Sequence, residues 1–455
     1  MENKNSRKTF RLRQDDMLQQ LRNEIISGKK AKGDYLPSEK MLADQFGLSN
    51  KIVRKVLDIL VDERLIEKKP RIGNIVVNLN DQKMITLKLG HHGSTQNEAE
   101  LTDLLAVFHK EYPYIQVQDV TLPSNSPDSL KPYMDYGMID VITLNDSEFQ
   151  DFVETGSEDY LVPLEKKPDM YPFLSKAFMV NGVLLAQPLM FSPAILCYNR
   201  DHFIEKGLLE PDSSWNWDDL FETANKLAVE NERIGFHFSV SQRNRLALFL
   251  HQSEAIFEKN SKGKIRLTGT KMMESIRFYK DLITNRITTI LSKQDSNFRA
   301  EDLFAQGKVS MIITTYLSLN HIRKSKIHYD VAQLPHLLIP ATHLIAIGLA
   351  VNKQSSNVEA AQLLVQFLTS YKAQEMIRKK TLSLPSLKTA AEWIGEEREY
   401  RPARFSMYRE IIPTFRYNKE LGLTEKEWKI FFNEVLLYFS GLETEEIFCS
   451  RLESL

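Results

Sequence analysis

The chain has 455 residues, enough for about three compact units at ~150 residues each. Its net charge is only −1, yet residues 1–78 hold 17 Lys/Arg against 11 Asp/Glu (+6), leaving 42 against 49 (−7) for the remainder, so a basic head precedes an acidic body. The opening MENKNSRKTF lacks the apolar core of a secretory signal, no stretch approaches the ~18 uncharged apolar residues of a membrane span, and the two cysteines form no Cys-x-x-Cys pair, which excludes secretory, membrane and disulfide-scaffold classes and predicts a cytoplasmic protein.

The first informative segment is 36–66, LPSEKMLADQFGLSNKIVRKVLDILVDERLI. Pro37-Ser38-Glu39 is a helix start, and Leu42, Ala43 and Phe46 form a short apolar stripe that ends at Gly47, a residue suited to a left-handed stop. Ser49 then caps a longer helix in which Ile52, Val53, Val56, Leu57, Leu60 and Val61 recur at the 3.6-residue period. Asn50, Lys51, Arg54 and Lys55 lie on its other face. This spacing predicts a helix-turn-helix with a basic recognition helix, although spacing alone leaves open two ordinary amphipathic helices.

Residues 78–84 are polar and read as a linker. Beyond them strands and helices alternate. Ile85, Leu87 and Leu89 make a strand; Leu101, Leu104, Leu105 and Phe108 a helical stripe; Ile115 and Val117 a strand; Val141–Leu144 a buried strand. Later come a helix over 217–230, a strand near Val309–Thr314, and a helix with Ala361, Leu364, Val365 and Leu368 inward. The pattern predicts an α/β body. Cys197, within Ala194–Tyr198, is expected as a buried core thiol. After 391, the aromatic Trp393, Tyr400, Trp428, Phe431, Phe432 and Phe439 are expected to pack on the body or on a partner.

Two resemblances add to this reading. Residues 18–77 resemble the GntR winged-helix regulators, through Ile25–Gly28, Gly33-Asp34, Leu36–Glu39, Leu42-Ala43, Leu48-Ser49, Val53-Arg54 and Leu65-Ile66, with Lys69–Val76 where the wing belongs. The resemblance implies a DNA face of Lys40, Ser49, Asn50, Lys51, Arg54 and Arg71. It also shows departures: Asn50 replaces the usual Arg, Ile52 the usual Thr, and Arg64 and Arg71 stand where glycines are expected. Arginine resists the positive φ that glycine accepts.

Roughly 85–390 resemble the family 1 extracellular solute-binding proteins, the sugar-binding components of ABC importers. The likeness is carried by Asp140–Ile142, Leu161–Leu164, Asn181-Gly182 through Pro188, Tyr198–Phe203, Asn216–Leu220, Gly307–Met311, Tyr329–Val331 and Asn357–Gln374. The expected architecture is therefore α/β: a winged helix-turn-helix (α+β) over 1–77, a linker over 78–84, and a two-lobe, periplasmic-binding-protein-like (type II) ligand-sensing domain over 85–455. Ligands in such folds sit at strand ends and hinge loops, which makes His91, Asp146, Phe191, Trp215, Tyr316 and His343 candidate ligand contacts and Trp217 a structural residue.

The expected partners are operator DNA, as an inverted repeat read by a homodimer, and a small molecule, a mono- or oligosaccharide. No membrane, no cofactor and no metal are expected, because His91-His92 has no third ligand at a fixed spacing. The GntR class also includes fusions to pyridoxal-phosphate aminotransferase-like bodies. Against that alternative, the only Ser-x-x-Lys outside the head lies in the polar loop Asn260–Lys264, and nucleotide and hydrolase glycine motifs are absent. A degenerate interaction body without a ligand remains a further alternative.

Overall fold

Ser38 accepts a hydrogen bond from the Met41 N–H (3.3 Å) and so starts α1 (Glu39–Phe46). Gly47 ends it at φ +62° and returns its own N–H to the Ala43 carbonyl. α2 (Asn50–Asp62) follows; Ser49 stands at its N-cap in an extended conformation, but its hydroxyl makes no capping bond. Val53, Val56, Leu57 and Leu60 of α2 pack with Leu42, Phe46, Leu65 and Val76 into one core. β1 (Ile66–Lys69) and β2 (Gly73–Val76) pair antiparallel, Ile66 opposite Val76 and Lys69 opposite Gly73. Helix, turn, helix and hairpin make a winged helix.

The structure is a computed structural model and describes residues 13–454 except 15, 19, 23, 26–28, 71, 78–83, 124, 238–242, 282–283, 285–298 and 396–400. Arg71 and nearly all of the expected linker fall outside the described residues. Contacts divide the chain into two units: residues 1–87 with 105–118, and 88–104 with 119–455.

Arg64, between α2 and β1, takes φ +55°, the left-handed conformation that its place in the GntR pattern implies. A β-branched residue tolerates that region worst and glycine best. Arg64→Val should therefore be roughly 1–2 kcal/mol less stable than Arg64→Gly. Thermal unfolding followed by circular dichroism compares them; equal midpoints would contradict the assigned backbone conformation.

β3 (Ile85–His91), α3 (Leu101–Glu111) and β4 (Ile115–Thr121) keep the expected strand–helix–strand order. In the second unit, Leu89 and Gly90 of β3 run parallel to β5 (Val141–Asn145), which leads directly into α4 (Asp146–Glu154). The long β6 (Gln187–Asn199) is buried at every residue. α5 (Trp217–Leu227) ends three residues before the expected boundary, where Ala228 turns extended. β7 (Ile234–His237), α6 (Arg243–Gln252), β8 (Val309–Thr315), β9 (Tyr329–Ala332), β10 (Thr342–Val351) and α7 (Val358–Leu368) follow. α8 (Glu425–Phe439) and α9 (Glu445–Ser454) end the described chain.

β6 divides its length between two sheet halves. Gln187–Pro193 pair antiparallel with β10, which continues antiparallel to β5. Ala194–Asn199 pair antiparallel with β8 and β9, and β8 runs parallel to β7. The strand period of two sends successive residues to opposite faces. Ile195, Cys197 and Ile312 enter one core with Phe149, Phe152 and Phe178. Ala194, Leu196, Tyr198, Met311 and Ile313 enter another with Trp217, Phe221, Trp428 and Phe431. α4 belongs to the first core, and α8 and α9 to the second, so Trp428, Phe431, Phe432 and Phe439 pack on the body as expected, while Tyr400 lies outside the described residues. Gly235 allows α5 to press on β7: a Cβ there would stand 1.8 Å from the Ala224 carbonyl oxygen. Trp217, expected as structural, is buried and donates to Gln252 (2.9 Å).

Candidate functional site

A polar cavity of about 460 Å³ opens in the second unit, between elements of its two cores. The C-terminal end of β5 supplies its first wall. Asn145 caps α4 reciprocally with Glu148: each side chain accepts the other's N–H at 2.8 Å. The Asn125 amide also donates to Glu148 (3.3 Å). Asp146 accepts the Ala346 N–H of β10 at 2.9 Å. β10 adds His343 and Ile345, and α6 begins at the exposed Arg243.

The second wall is the start of α8. Thr424 caps it, and the first-turn Glu425 and the following Trp428 and Lys429 line the cavity. At this edge α4 meets α8 and the turn before it through polar bonds. The Glu425 N–H donates to Glu154 (2.7 Å), Lys429 pairs with Asp151 (2.7 Å), and Asn418 reaches Ser147 (3.4 Å). One helix is rooted in each core, so these bonds join the two halves of the body.

Electrostatics in the cavity are governed by burial. It pushes the Asp146 carboxyl up to about 7, against the Ala346 N–H that favours the charged form. It does the same to Glu425, to about 7, against a bond from Ser147, and raises Glu148. Burial holds His343 down to about 3, and likewise His251, whose ring stacks on it with centroids 6.3 Å apart. Both imidazoles are therefore neutral at pH 7. Asn125 Oδ1, His343 Nδ1, Asn418 Oδ1 and Trp428 Nε1 all belong to lining residues, and each is buried without a hydrogen-bond partner. Buried polar atoms are costly when unmatched, so the cavity favours a ligand rich in donors and acceptors.

The raised carboxyls carry a pH prediction. Each binds its proton more tightly folded than unfolded, so it favours the folded state below about pH 4 and loses that contribution as pH rises towards 7. The charged neighbours facing the pair are Glu148, Asp151, Glu154, Arg243 and Lys429. Asp146→Asn and Glu425→Gln should each raise stability by about 1–2 kcal/mol at pH 7.5 and by much less at pH 4. Thermal unfolding at both pH values decides; equal shifts at the two would overturn the assignment.

The structure brings Asp146 and His343 to the cavity and takes the other ligand candidates elsewhere. Phe191 and Tyr316 are corrected to core residues. Both are fully buried, Phe191 edge-on to Tyr171 and Phe173, and Tyr316 with its hydroxyl on the Phe405 carbonyl (2.8 Å). His91 is corrected too: it points inward, 1 % exposed, with Nδ1 bonded to the His92 carbonyl, and its neighbour His92 lines the cavity instead. Trp215 packs half-buried against the second core and is not a lining residue. Asn125, Glu148, Asn418, Glu425 and Trp428 were not singled out as ligand residues from the sequence. Among the described residues no cluster of three or more His, Cys, Asp or Glu is arranged to hold a metal ion.

On the head, Lys40, Ser49, Asn50, Lys51 and Arg54 are all exposed, as a DNA face requires. Arg54 Nε donates to Glu39 at 2.6 Å, which ties the recognition helix to α1.

Residues 130–404 match the family described as bacterial extracellular solute-binding protein, and residues 13–76 match that described as bacterial regulatory proteins, gntR family. The chain belongs to the bacterial extracellular solute-binding protein family. Unlike a solute-binding domain alone, it carries a gntR-type winged helix ahead of it. Among relatives of this solute-binding protein are a putative binding protein of Brucella abortus (strain 2308), 27% identical over 236 residues, 48% of this chain and 55% of that one. The sn-glycerol-3-phosphate-binding periplasmic protein of the same strain is 27% identical over 178 residues, 37% of this chain and 39% of that one. The chain thus spans about half the length, or less, of these curated relatives. Among solved structures, the Listeria monocytogenes ABC substrate-binding protein in complex with cycloalternan superposes with TM-score 0.68 at 20% identity, covering 81% of this chain and 97% of that one. Maltose-bound MalE3 of T. maritima gives 0.67 at 19%, covering 81% and 98%. At these identities the likeness is one of fold.

Proposed function

We propose that this solute-binding protein is a ligand-responsive transcription regulator: the winged helix binds operator DNA, and the body senses a small polar molecule, a mono- or oligosaccharide. The observation that carries the reading is the joining in one chain of a gntR-type head and a solute-binding fold whose cavity holds buried, unmatched polar atoms. Lobe closure around the ligand changes DNA affinity, to the extent that the ligand prefers the closed form. The head extends over 1–77 and the sensing body over 85–455, joined by residues 78–84.

The DNA face consists of Lys40, Ser49, Asn50, Lys51, Arg54 and Arg71. Ser49 suits it well, because its hydroxyl is not engaged in capping α2. A homodimer on an inverted repeat fits the small footprint of one winged helix. The body binds without transforming, in keeping with both matched families, and works in the cytoplasm, where its operator is; no helix of the described residues is long and apolar enough to cross a membrane. The ligand contacts are Asp146 and His343, together with Glu148, Asn418, Glu425 and Trp428.

Operator binding by gel shift, with and without each member of a saccharide library, tests the proposal at constant salt. A saccharide that binds the body by calorimetry should move operator affinity. Binding that leaves operator affinity unchanged would sink the regulatory reading, since a ligand with equal affinity for both states shifts nothing.

A further inference from the structure

The charge of the cavity narrows the ligand class, on the reading that the body binds a saccharide. Asp146, Glu148, Asp151 and Glu425 line it against Arg243 and Lys429. Lys429 is taken by Asp151 at 2.7 Å. The exposed Arg243 then remains against Asp146, Glu148 and Glu425, and none of these three carboxylates forms an ion pair with a described residue. Their bonds are to neutral donors: Asp146 to the Ala346 N–H, Glu148 to the Asn145 N–H and the Asn125 amide, Glu425 to Ser147. Largely desolvated carboxyls bonded to neutral donors, with the one exposed Arg243 nearby, ionise reluctantly, and a cation brought among them would favour their charged form.

Independent observations point to a ligand in the same place. Trp428 and His343 are each only 2 % exposed, and the Trp428 indole N–H and His343 Nδ1 have no partner. Trp428 Nε1 is a donor only, which suits a hydroxyl or ring oxygen. The neutral His343 ring offers a donor or an acceptor, as the hydroxyl requires. These groups address the hydroxyl face of a sugar, while the carboxylates, as acceptors only, suit a group with several donors.

We propose that the body takes an amino sugar, with the ammonium group of the ligand held among Asp146, Glu148 and Glu425 and its hydroxyls bonded to His343 and Trp428. An ammonium has three donors and no acceptor, which matches a set of carboxylates from α4 and α8. α4 comes from one core and α8 from the other, so the same cation draws the two halves of the body together. A phosphorylated ligand, such as the one named for the sn-glycerol-3-phosphate-binding relative, meets like charge here.

Calorimetry on the full chain tests this with probes matched in size: the glucosamine disaccharide, its N,N′-diacetyl form and cellobiose, with putrescine and sn-glycerol 3-phosphate alongside. The free amine disaccharide should bind at least tenfold tighter than either neutral disaccharide. Glu425→Gln and Glu148→Gln should each cut the ratio of amine to neutral affinity to less than threefold, and circular dichroism establishes that each variant is folded. Neutral and amine disaccharides binding equally would overturn the amine assignment and leave the saccharide reading standing. Putrescine binding as tightly as the amine disaccharide would overturn the sugar half. Tighter binding of sn-glycerol 3-phosphate, or of no probe at all, would overturn both the amine assignment and the saccharide reading beneath it.

Discussion

Tyr316→Ala should destabilise the body by roughly 3–5 kcal/mol, the range for removing a large buried ring. The ring is fully buried, edge-on to Phe405 with centroids 5.1 Å apart and to Tyr408 at 6.0 Å. Its hydroxyl holds the Phe405 carbonyl at 2.8 Å. Truncation opens a void and strands that carbonyl. Tyr316→Phe keeps the ring and loses the hydrogen bond alone, so about 1–2 kcal/mol is expected. Urea unfolding of the full chain separates the two substitutions. If Tyr316→Ala were no less stable than Tyr316→Phe, the packing around this ring would be misassigned.

Arg54→Ala should weaken operator binding by roughly 1–3 kcal/mol, about 5- to 150-fold. Arg54 stands exposed on α2, and Glu39 fixes its Nε from the preceding helix. An exposed pair of this kind adds little stability, so the fold should survive the substitution. Two outcomes distinguish its role. A base contact shows as relaxed preference at one operator position with the salt slope kept. A phosphate contact shows as equal weakening on all sequences and a salt slope lower by about 1. Affinity and slope both unchanged would remove Arg54 from the DNA face.

The head was legible in the sequence because its determinants are local. Ser38, Gly47 and the apolar period of α2 lie within some 25 residues, and each acts on its own helix. Arg64 was less legible: an arginine in a glycine position suggested a differently shaped end to α2, yet the backbone keeps the left-handed φ of +55° that a glycine would take. The cavity was legible only at strand ends. Asp146 follows β5 and His343 stands at the start of β10, where a ligand-site rule for α/β folds finds them. The same rule failed for Tyr316 and Phe191, because position along a strand does not say which way an aromatic ring turns. Core packing claimed both. Glu425 and Trp428 escaped because they reach the cavity from α8, nearly 280 residues after α4. Their segment looked like packing material, and most of it is: Phe431, Phe432 and Phe439 fill the second core.

The junction of α4 with α8 bears on how DNA binding is to be measured. Lys429 and Asp151 are a partly exposed ion pair, and added electrolyte screens such pairs within a Debye length of about 8–10 Å at ordinary ionic strength. Raising potassium chloride therefore loosens the body's two halves at the same time as it displaces the head from phosphate. On the proposed coupling of lobe closure to DNA binding, a log–log plot of operator affinity against salt combines both effects, and its slope no longer counts only the phosphates neutralised. Replacing Lys429 and Asp151 together by a neutral pair of similar size strips the first effect from the plot. What is left is the counterion release of the head alone.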